Sequence, residues 1–281
     1  VSDRERWWQV SVVITDDNVD QVAAAVVAVT GQGVEEPAPG QLTTVLDSAE
    51  SADHLVFELR RAFGGIDARV TEIEPVNWVE RWRDGIQTRR FGRLVVTPSW
   101  LPVEPQVSEV VVTIDPETAF GSGEHGSTRA AMTLLERHLE PGDRVLDFGS
   151  GSGILAIAAV LLGADAAVGI EVDEEANPVA EANARRNGVE NRVTFLTGDA
   201  GQLYQLFGPV DLVCSNILRT INTLLLPPIR NALLPDGIAI FSGMEEAERE
   251  LFLPVLTEAG WRVIDEARDA GWWSVAARRP S

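Results

Sequence analysis

Asp147, Gly149, Gly151 and Gly153 occupy alternate positions of "VLDFGSGSG", where an apolar strand runs into a helix. Glycines at such a turn let the backbone come close to a ligand, and in a doubly wound sheet ligands sit beyond the carboxyl ends of the strands. A dinucleotide fingerprint would need glycine or alanine where Ile154 stands, which disfavours a pyrophosphate. Asp147 repels phosphate but attracts an amino group. Glu171 ends the next strand, "AVGIEV", where an acidic side chain takes ribose hydroxyls. Gly198–Asp199 follows the third strand. A ribose and an amino acid with no diphosphate describe S-adenosylmethionine, whose product is S-adenosylhomocysteine. The bland alternative for Glu171 is a solvated strand end. A second glycine loop, "AFGSGEHGST" from Ala119 to Thr128, lies just upstream and also carries His125.

These loops need a scaffold to hold them. From Thr128 onward helices alternate with buried strands: helix Thr128–Leu139, "RVLDF", helix Ile154–Leu162, "AAVGIEV", helix Glu174–Asn187 and "RVTFLT". Strands "VDLVCS", "GIAIFS", "WRVIDEA" and "WWSVAAR" follow. Alternating βα units predict an α/β fold with a parallel sheet covered by helices on both faces. The last two strands have no helix between them and should pair antiparallel through "RDAG". The first 75 residues have a different rhythm. Strand patterns at Trp7–Ile14, "QLTTVLD" and "ARVTEIEP" flank helices Val19–Val29 and Ala52–Phe63. The layout suits the β-α-β-β-α-β ferredoxin-like α+β unit. We therefore expect a small domain over 1–75, a linker helix over 76–85 in "VNWVERWRDG", and the α/β domain over 86–281.

Composition removes several function classes. The 281 residues carry a net charge of −20, which argues against a basic nucleic-acid-binding stripe and permits a basic protein partner. All 23 basic residues are arginine. The longest apolar run, Ile154–Ile170, is broken by Asp165, so no membrane span is expected. Cys214 has no partner for a disulfide, and His54, His125 and His138 are scattered, so a metal site is not expected. With no signal-peptide layout at the start, the expected location is the cytoplasm.

The motifs together resemble the PrmA family of bacterial methyltransferases, which trimethylate amino groups of the stalk-base protein numbered eleven of the large ribosomal subunit. The family's "AFGTGxHxTT" is similar to "AFGSGEHGST", and its "VLDxGCGSGxLAIAA" to "VLDFGSGSGILAIAA". "GVDID" corresponds to "GIEVD", "ANI" to "SNI", and "GRLVVxPxW" to "GRLVVTPSW". The "W…RW" linker signature matches Trp78–Trp82, and the tail "GxWV" partly matches "GWWSV". The chain departs from the pattern at Ser122, Ser127, Ser150, Glu171 and Ser215. The resemblance implies a Rossmann-like, seven-stranded methyltransferase domain and a basic large-subunit ribosomal protein as substrate. It implies that Thr128, Gly149, Glu171 and Asn216 bind the cofactor, with Phe120 and Gly123 in a loop covering it; Asp147, Gly151 and Asp199 belong to the same set. His125 sits in that loop, either against the cofactor or as a structural hydrogen-bonding group. Amine methylation needs a neutral amine, and a neutral acceptor such as the Asn216 amide suits it better than a carboxylate, which would raise the amine pKa. The alternative for Asn216 is to cap a helix over Ile217–Leu226. Other readings are a methyltransferase for another protein or a small molecule, and a non-catalytic S-adenosylmethionine-binding protein.

Overall fold

A computed structural model describes residues 7–14, 18–30, 34–38, 40–64, 66–73, 86–115, 121 and 123–279. The chain separates into two compact units, Val1–Asp84 and Gly85–Ser281. The expected linker helix over 76–85 lies outside the described residues.

In the smaller unit, β1 (Trp7–Val13) leads to α1 (Val19–Thr30), β2 (Glu35–Ala38), β3 (Gln41–Leu46), α2 (Ala49–Phe63) and β4 (Asp67–Ile73). The four strands form one sheet in the order β2-β3-β1-β4, the order of a ferredoxin-like unit, and every pairing is antiparallel. Period-two burial sends Val10, Val12, Leu42, Leu46 and Ala68 to one face. There they meet Val22 and Val26 of α1 and Leu55 and Leu59 of α2. Ser48 caps α2 by accepting the Ser51 N–H at 3.2 Å, which fixes where that helix starts.

The larger unit opens with a three-stranded sheet of β5 (Arg89–Phe91), β6 (Leu94–Thr97) and β7 (Val110–Thr113), in that order. The main sheet follows. Its strands are β8 (Arg144–Phe148), β9 (Ala166–Glu171), β10 (Val193–Thr197), β11 (Val210–Asn216), β12 (Leu233–Glu245), β13 (Arg262–Asp269) and β14 (Trp272–Arg278). They are ordered β10-β9-β8-β11-β12-β14-β13. The first five run parallel, while β14 is antiparallel to both its neighbours, as the missing helix before it required. The helices are α3 (Gly126–His138), α4 (Ile154–Leu162), α5 (Ala176–Arg186), α6 (Ala200–Leu203), α7 (Arg219–Ala232) and α8 (Arg249–Glu258). No described helix is long and apolar enough to cross a membrane.

A strand buried on both faces feeds two cores. Val145, Leu212 and Cys214 join α3 and α4 on one side of the sheet. Leu146, Phe148 and Val213 join α7 and α8 on the other, around edge-to-face contacts of Phe241 with Phe252 and Trp261. The helix expected over Ile217–Leu226 instead spans Arg219–Ala232 and continues through Pro227 and Pro228. Proline removes ladder hydrogen bonds. The buried side chains Ile229 and Ala232 hold the last turn against the sheet in compensation.

α4 is apolar all round, and Ile157 within it is fully buried. Ile157→Ala should therefore cost about 2–5 kcal/mol of stability. A denaturant titration of the larger unit's transition should show a lower midpoint with an unchanged slope; an unmoved midpoint would show that this helix is not packed as described.

Candidate functional site

Five parallel strands end on the same edge, and a cleft of about 650 Å³ opens there. Strand order fixes its layout. Glu171 ends β9 and Asp199 follows β10, so both lie toward one end. Gly149 follows the central β8 and Asn216 ends its neighbour β11. Trp272, at the start of β14, and His125 line the opposite end.

The glycine loop is braced from both sides. Gly149 has φ +74°, and a Cβ there would come 2.5 Å from the Ile217 Cγ2, so only glycine fits. Glu171 reaches back under the loop: its Oε2 accepts the Gly151 N–H at 3.0 Å. Its Oε1 accepts the N–H groups of Val172 and Asp173 at 2.7 and 3.1 Å. The longer arm of glutamate is thus used to hold the loop while the carboxylate still faces the cleft. Asp199 caps the short α6 through the Gly201 N–H at 2.8 Å and takes Gln202 Nε2 at 2.9 Å.

Asp147 does not line the cleft. It is 1% exposed, and neither carboxylate oxygen makes a hydrogen bond of ordinary geometry among the described residues, although the Ala156 N–H lies on its side. Burial lifts its pKa to about 7, and the charge of Glu171 adds to the rise; the Ala156 backbone N–H opposes them only in part. An amino group in the cleft meets this residue through the loop rather than directly.

Asn216 and Thr128 are brought together across the interior. Asn216 Nδ2 donates to Thr128 Oγ1 at 3.2 Å. In this orientation the buried Oδ1 has no hydrogen-bond partner among the described residues. Thr128 is fully buried and does not itself line the cleft; it acts through Asn216. The capping role for Asn216 is not realised, because α7 starts at Arg219 with Leu218 as its N-cap.

In the upstream loop, Phe120 lies outside the described residues, as do 116–119 and Ser122. Gly121 and Gly123 are described. The Gly121 carbonyl accepts Ser152 Oγ at 2.6 Å, which ties one glycine loop to the other. Gly123 packs on Val96 rather than lining the cleft. Glu124 accepts the Gln87 N–H at 2.9 Å and pairs with Arg89 at 2.7 Å. Arg129 bridges the Glu124 carbonyl and the Asp269 carboxylate. His125 makes a structural contact and also lines the cleft. Its Nδ1 lies 2.8 Å from Ser127 Oγ, and its ring packs 4.1 Å from Trp272 while facing the cleft. Burial, helped by the Arg129 charge, pushes its pKa down, so it is neutral at pH 7. Trp272, Ser127 and Gly243 also line the cleft. None was legible as a site residue; the tail "GWWSV" was the one signal near Trp272.

Asp147 yields a pH prediction. Its folded pKa of about 7 exceeds the ordinary 3.8, so the folded state binds the extra proton. The favourable contribution is complete below about pH 4 and is lost as pH rises through 7. Asp147→Asn, neutral throughout, should gain roughly 1–4 kcal/mol relative to the parent chain at pH 8, and the gain should vanish toward pH 4. Thermal denaturation across that range reads this out; parallel curves would refute the assignment.

A sequence model described as "Ribosomal protein L11 methyltransferase (PrmA)" matches residues 9–280. The ribosomal protein L11 methyltransferase of Thermus thermophilus is 39% identical over 208 residues, covering 74% of this chain and 80% of that protein. That of Desulfosudis oleivorans is 30% identical over 304 residues, covering 98% and 99%. The crystal structure of a ribosomal protein L11 methylase from Lactobacillus delbrueckii subsp. bulgaricus superposes with a TM-score of 0.63 at 30% identity. It covers 70% of this chain and 100% of that one.

Proposed function

The chain belongs to the ribosomal protein L11 methyltransferase (PrmA) family, and from that premise we propose that it methylates lysine ε-amino and N-terminal α-amino groups of ribosomal protein L11, using S-adenosylmethionine. The observation that carries this reading is Asn216 lining the cleft next to the glycine loop, its amide nitrogen held by Thr128 and its buried oxygen without a partner among the described residues. Buried acceptors are rarely left unpartnered, which supports a donor reaching this amide from the cleft.

The residues present fit the cofactor. Gly149 and Gly151 give a surface without side chains, Glu171 offers carboxylate lone pairs for ribose hydroxyls, and Asp199 lies beside it. S-adenosylmethionine supplies an electrophilic sulfonium methyl. The chain's part is to present an amine with a free lone pair. A lysine of pKa ~10.4 costs roughly 4–5 kcal/mol to neutralise at pH 7. An apolar, water-poor site reduces that cost, whereas a nearby carboxylate would increase it. The acceptor end of this cleft obeys the rule: Asn216, neutral His125 and Trp272 line it, and the acidic Glu171 and Asp199 lie toward the other end. Turned toward the cleft, the Asn216 Oδ1 could accept a hydrogen bond from the amine and direct its lone pair, while favouring the ammonium less than a carboxylate would. Positioning then carries most of the rate.

The smaller unit carries none of the cofactor motifs, and we assign it to recognition of the protein substrate. The net charge of −20 suits a basic ribosomal partner and a cytoplasmic setting.

Incubation with labelled S-adenosylmethionine and unmethylated ribosomal protein L11 should label that protein. Glu171→Ala should weaken cofactor binding by about 1.5–3 kcal/mol in calorimetry, the scale of hydrogen bonds to a charged group. Asn216→Ala should lower kcat more than it weakens cofactor binding, because its contact acts mainly in the transition state. Label appearing only on other proteins, or an Asn216→Ala variant with normal kcat, would overturn the reading.

A further inference from the structure

Behind Asn216 lies a buried polar network that the reading above does not use. Asn222, on the first turns of α7, is fully buried, and its amide makes three hydrogen bonds. Its Oδ1 accepts Ser215 Oγ at 2.7 Å. Its Nδ2 donates to the carbonyls of Ile217 and Ser242, each at 2.9 Å. Ser215 and Ile217 flank Asn216 in the chain, and Ser242 is its cross-strand neighbour on β12. One side chain therefore holds both neighbours of Asn216, Ser215 by its hydroxyl and Ile217 by its carbonyl, and the strand beside them.

The same network reaches the other partner of the Asn216 amide. Ser242 Oγ donates to the Ser127 carbonyl at 2.9 Å and shares a 2.6 Å contact with Ser274 Oγ. Ser127 immediately precedes Thr128. Both ends of the Thr128–Asn216 hydrogen bond are thus referenced to Ser242. There is no slack in the turn: a Cβ on Gly243 would fall 2.3 Å from the Ile217 carbonyl oxygen. Ser215 also stands where the family pattern given above has alanine, which could not make the third bond.

We infer that Asn222 is a positioning residue for the methyl-transfer site: its three-way hydrogen bonding fixes the Asn216 turn and with it the placement of the Asn216 side chain at the cleft. This inference rests on the proposed function. A plain packing residue would affect stability without separating turnover from cofactor binding. A positioning residue separates them, because small misplacements of a reacting geometry are costly while the glycine loop that holds the cofactor is braced elsewhere, by Glu171.

The test uses the full chain and two readouts. Asn222→Ala should lower kcat on ribosomal protein L11 about 10–100-fold. Its cofactor Kd should stay within about twofold of the parent value. Hydrogen exchange followed by mass spectrometry should speed up in the peptide spanning 214–222 and not in β8 or α4. Should the alanine variant fail to fold, Asn222→Ser serves: its hydroxyl is neutral but too short to bridge Ser215, Ile217 and Ser242 at once, and the same split is expected. Unchanged kcat, an equal loss of cofactor affinity, or unchanged exchange in that peptide would overturn the inference. If the parent chain methylates no amine, it is the proposed function that fails; the clamp is then judged by exchange alone, where acceleration confined to 214–222 supports it and its absence refutes it.

Discussion

A single 3.2 Å hydrogen bond, from Asn216 Nδ2 to Thr128 Oγ1, ties the end of β11 to α3 beside the cleft. A threonine hydroxyl can donate or accept, so it holds the amide in place whichever end it takes. As placed, the nitrogen faces Thr128 and the buried oxygen has no partner among the described residues. The partners come from β11 and α3, which pack on each other only because the sheet is wound with α3 across β11, β12 and β14. The chemistry proposed for the cleft therefore depends on the register of the whole sheet. A slip of one residue in β11 would turn Asn216 to the opposite face of the strand.

The two glycine loops answer to the same constraint from different directions. The loop after β8 must be bare so that a ligand can lie on it, and Gly149 must be bare so that the Ile217 side chain can lie behind it. The upstream loop is fastened to the first by Ser152, to the three-stranded sheet by Glu124 and Arg89, and to the β13–β14 hairpin by Arg129 and Asp269. Ion pairs at partly exposed sites are individually weak. Their value here is to fix a loop whose glycines give it little rigidity of its own.

Much of this was legible in the sequence. The strands "RVLDF" and "WWSVAAR" and the helix Ile154–Leu162 have the expected bounds, because their apolar runs are long and end at glycine or charge. Glu171, Gly149 and Asn216 reach the cleft because strand ends in parallel sheets converge. What sequence could not show are contacts made across the fold. Asp147 reads as a ligand contact because its type suits an amino group; burial beneath the loop is a tertiary fact. Pro227–Pro228 reads as a helix stop, and packing of Ile229 overrides it. Asn222 carries no motif at all: its meaning lies in the positions of Ser215, Ile217 and Ser242, which only the folded sheet brings together.

The electrostatics operate on two length scales, and they point in opposite directions. At long range the chain is strongly acidic, which favours approach of a basic protein. At the acceptor end of the cleft the same acidity would be harmful, because a carboxylate beside the amine would hold it as the unreactive ammonium. Screening lets both conditions hold, since exposed charges more than about 8 Å apart barely feel each other at physiological salt. In the proposed reaction that end should be free of carboxylate lining, and the groups lining it are an amide, a tryptophan and a histidine whose pKa burial and the Arg129 charge push down, while the nearby Asp269 carboxylate is paired with Arg129. In the proposed reaction the ammonium gives its proton to bulk water before entering, desolvation favours the neutral amine that remains, and geometry orients its lone pair, with the surface charge confined to bringing the partner near.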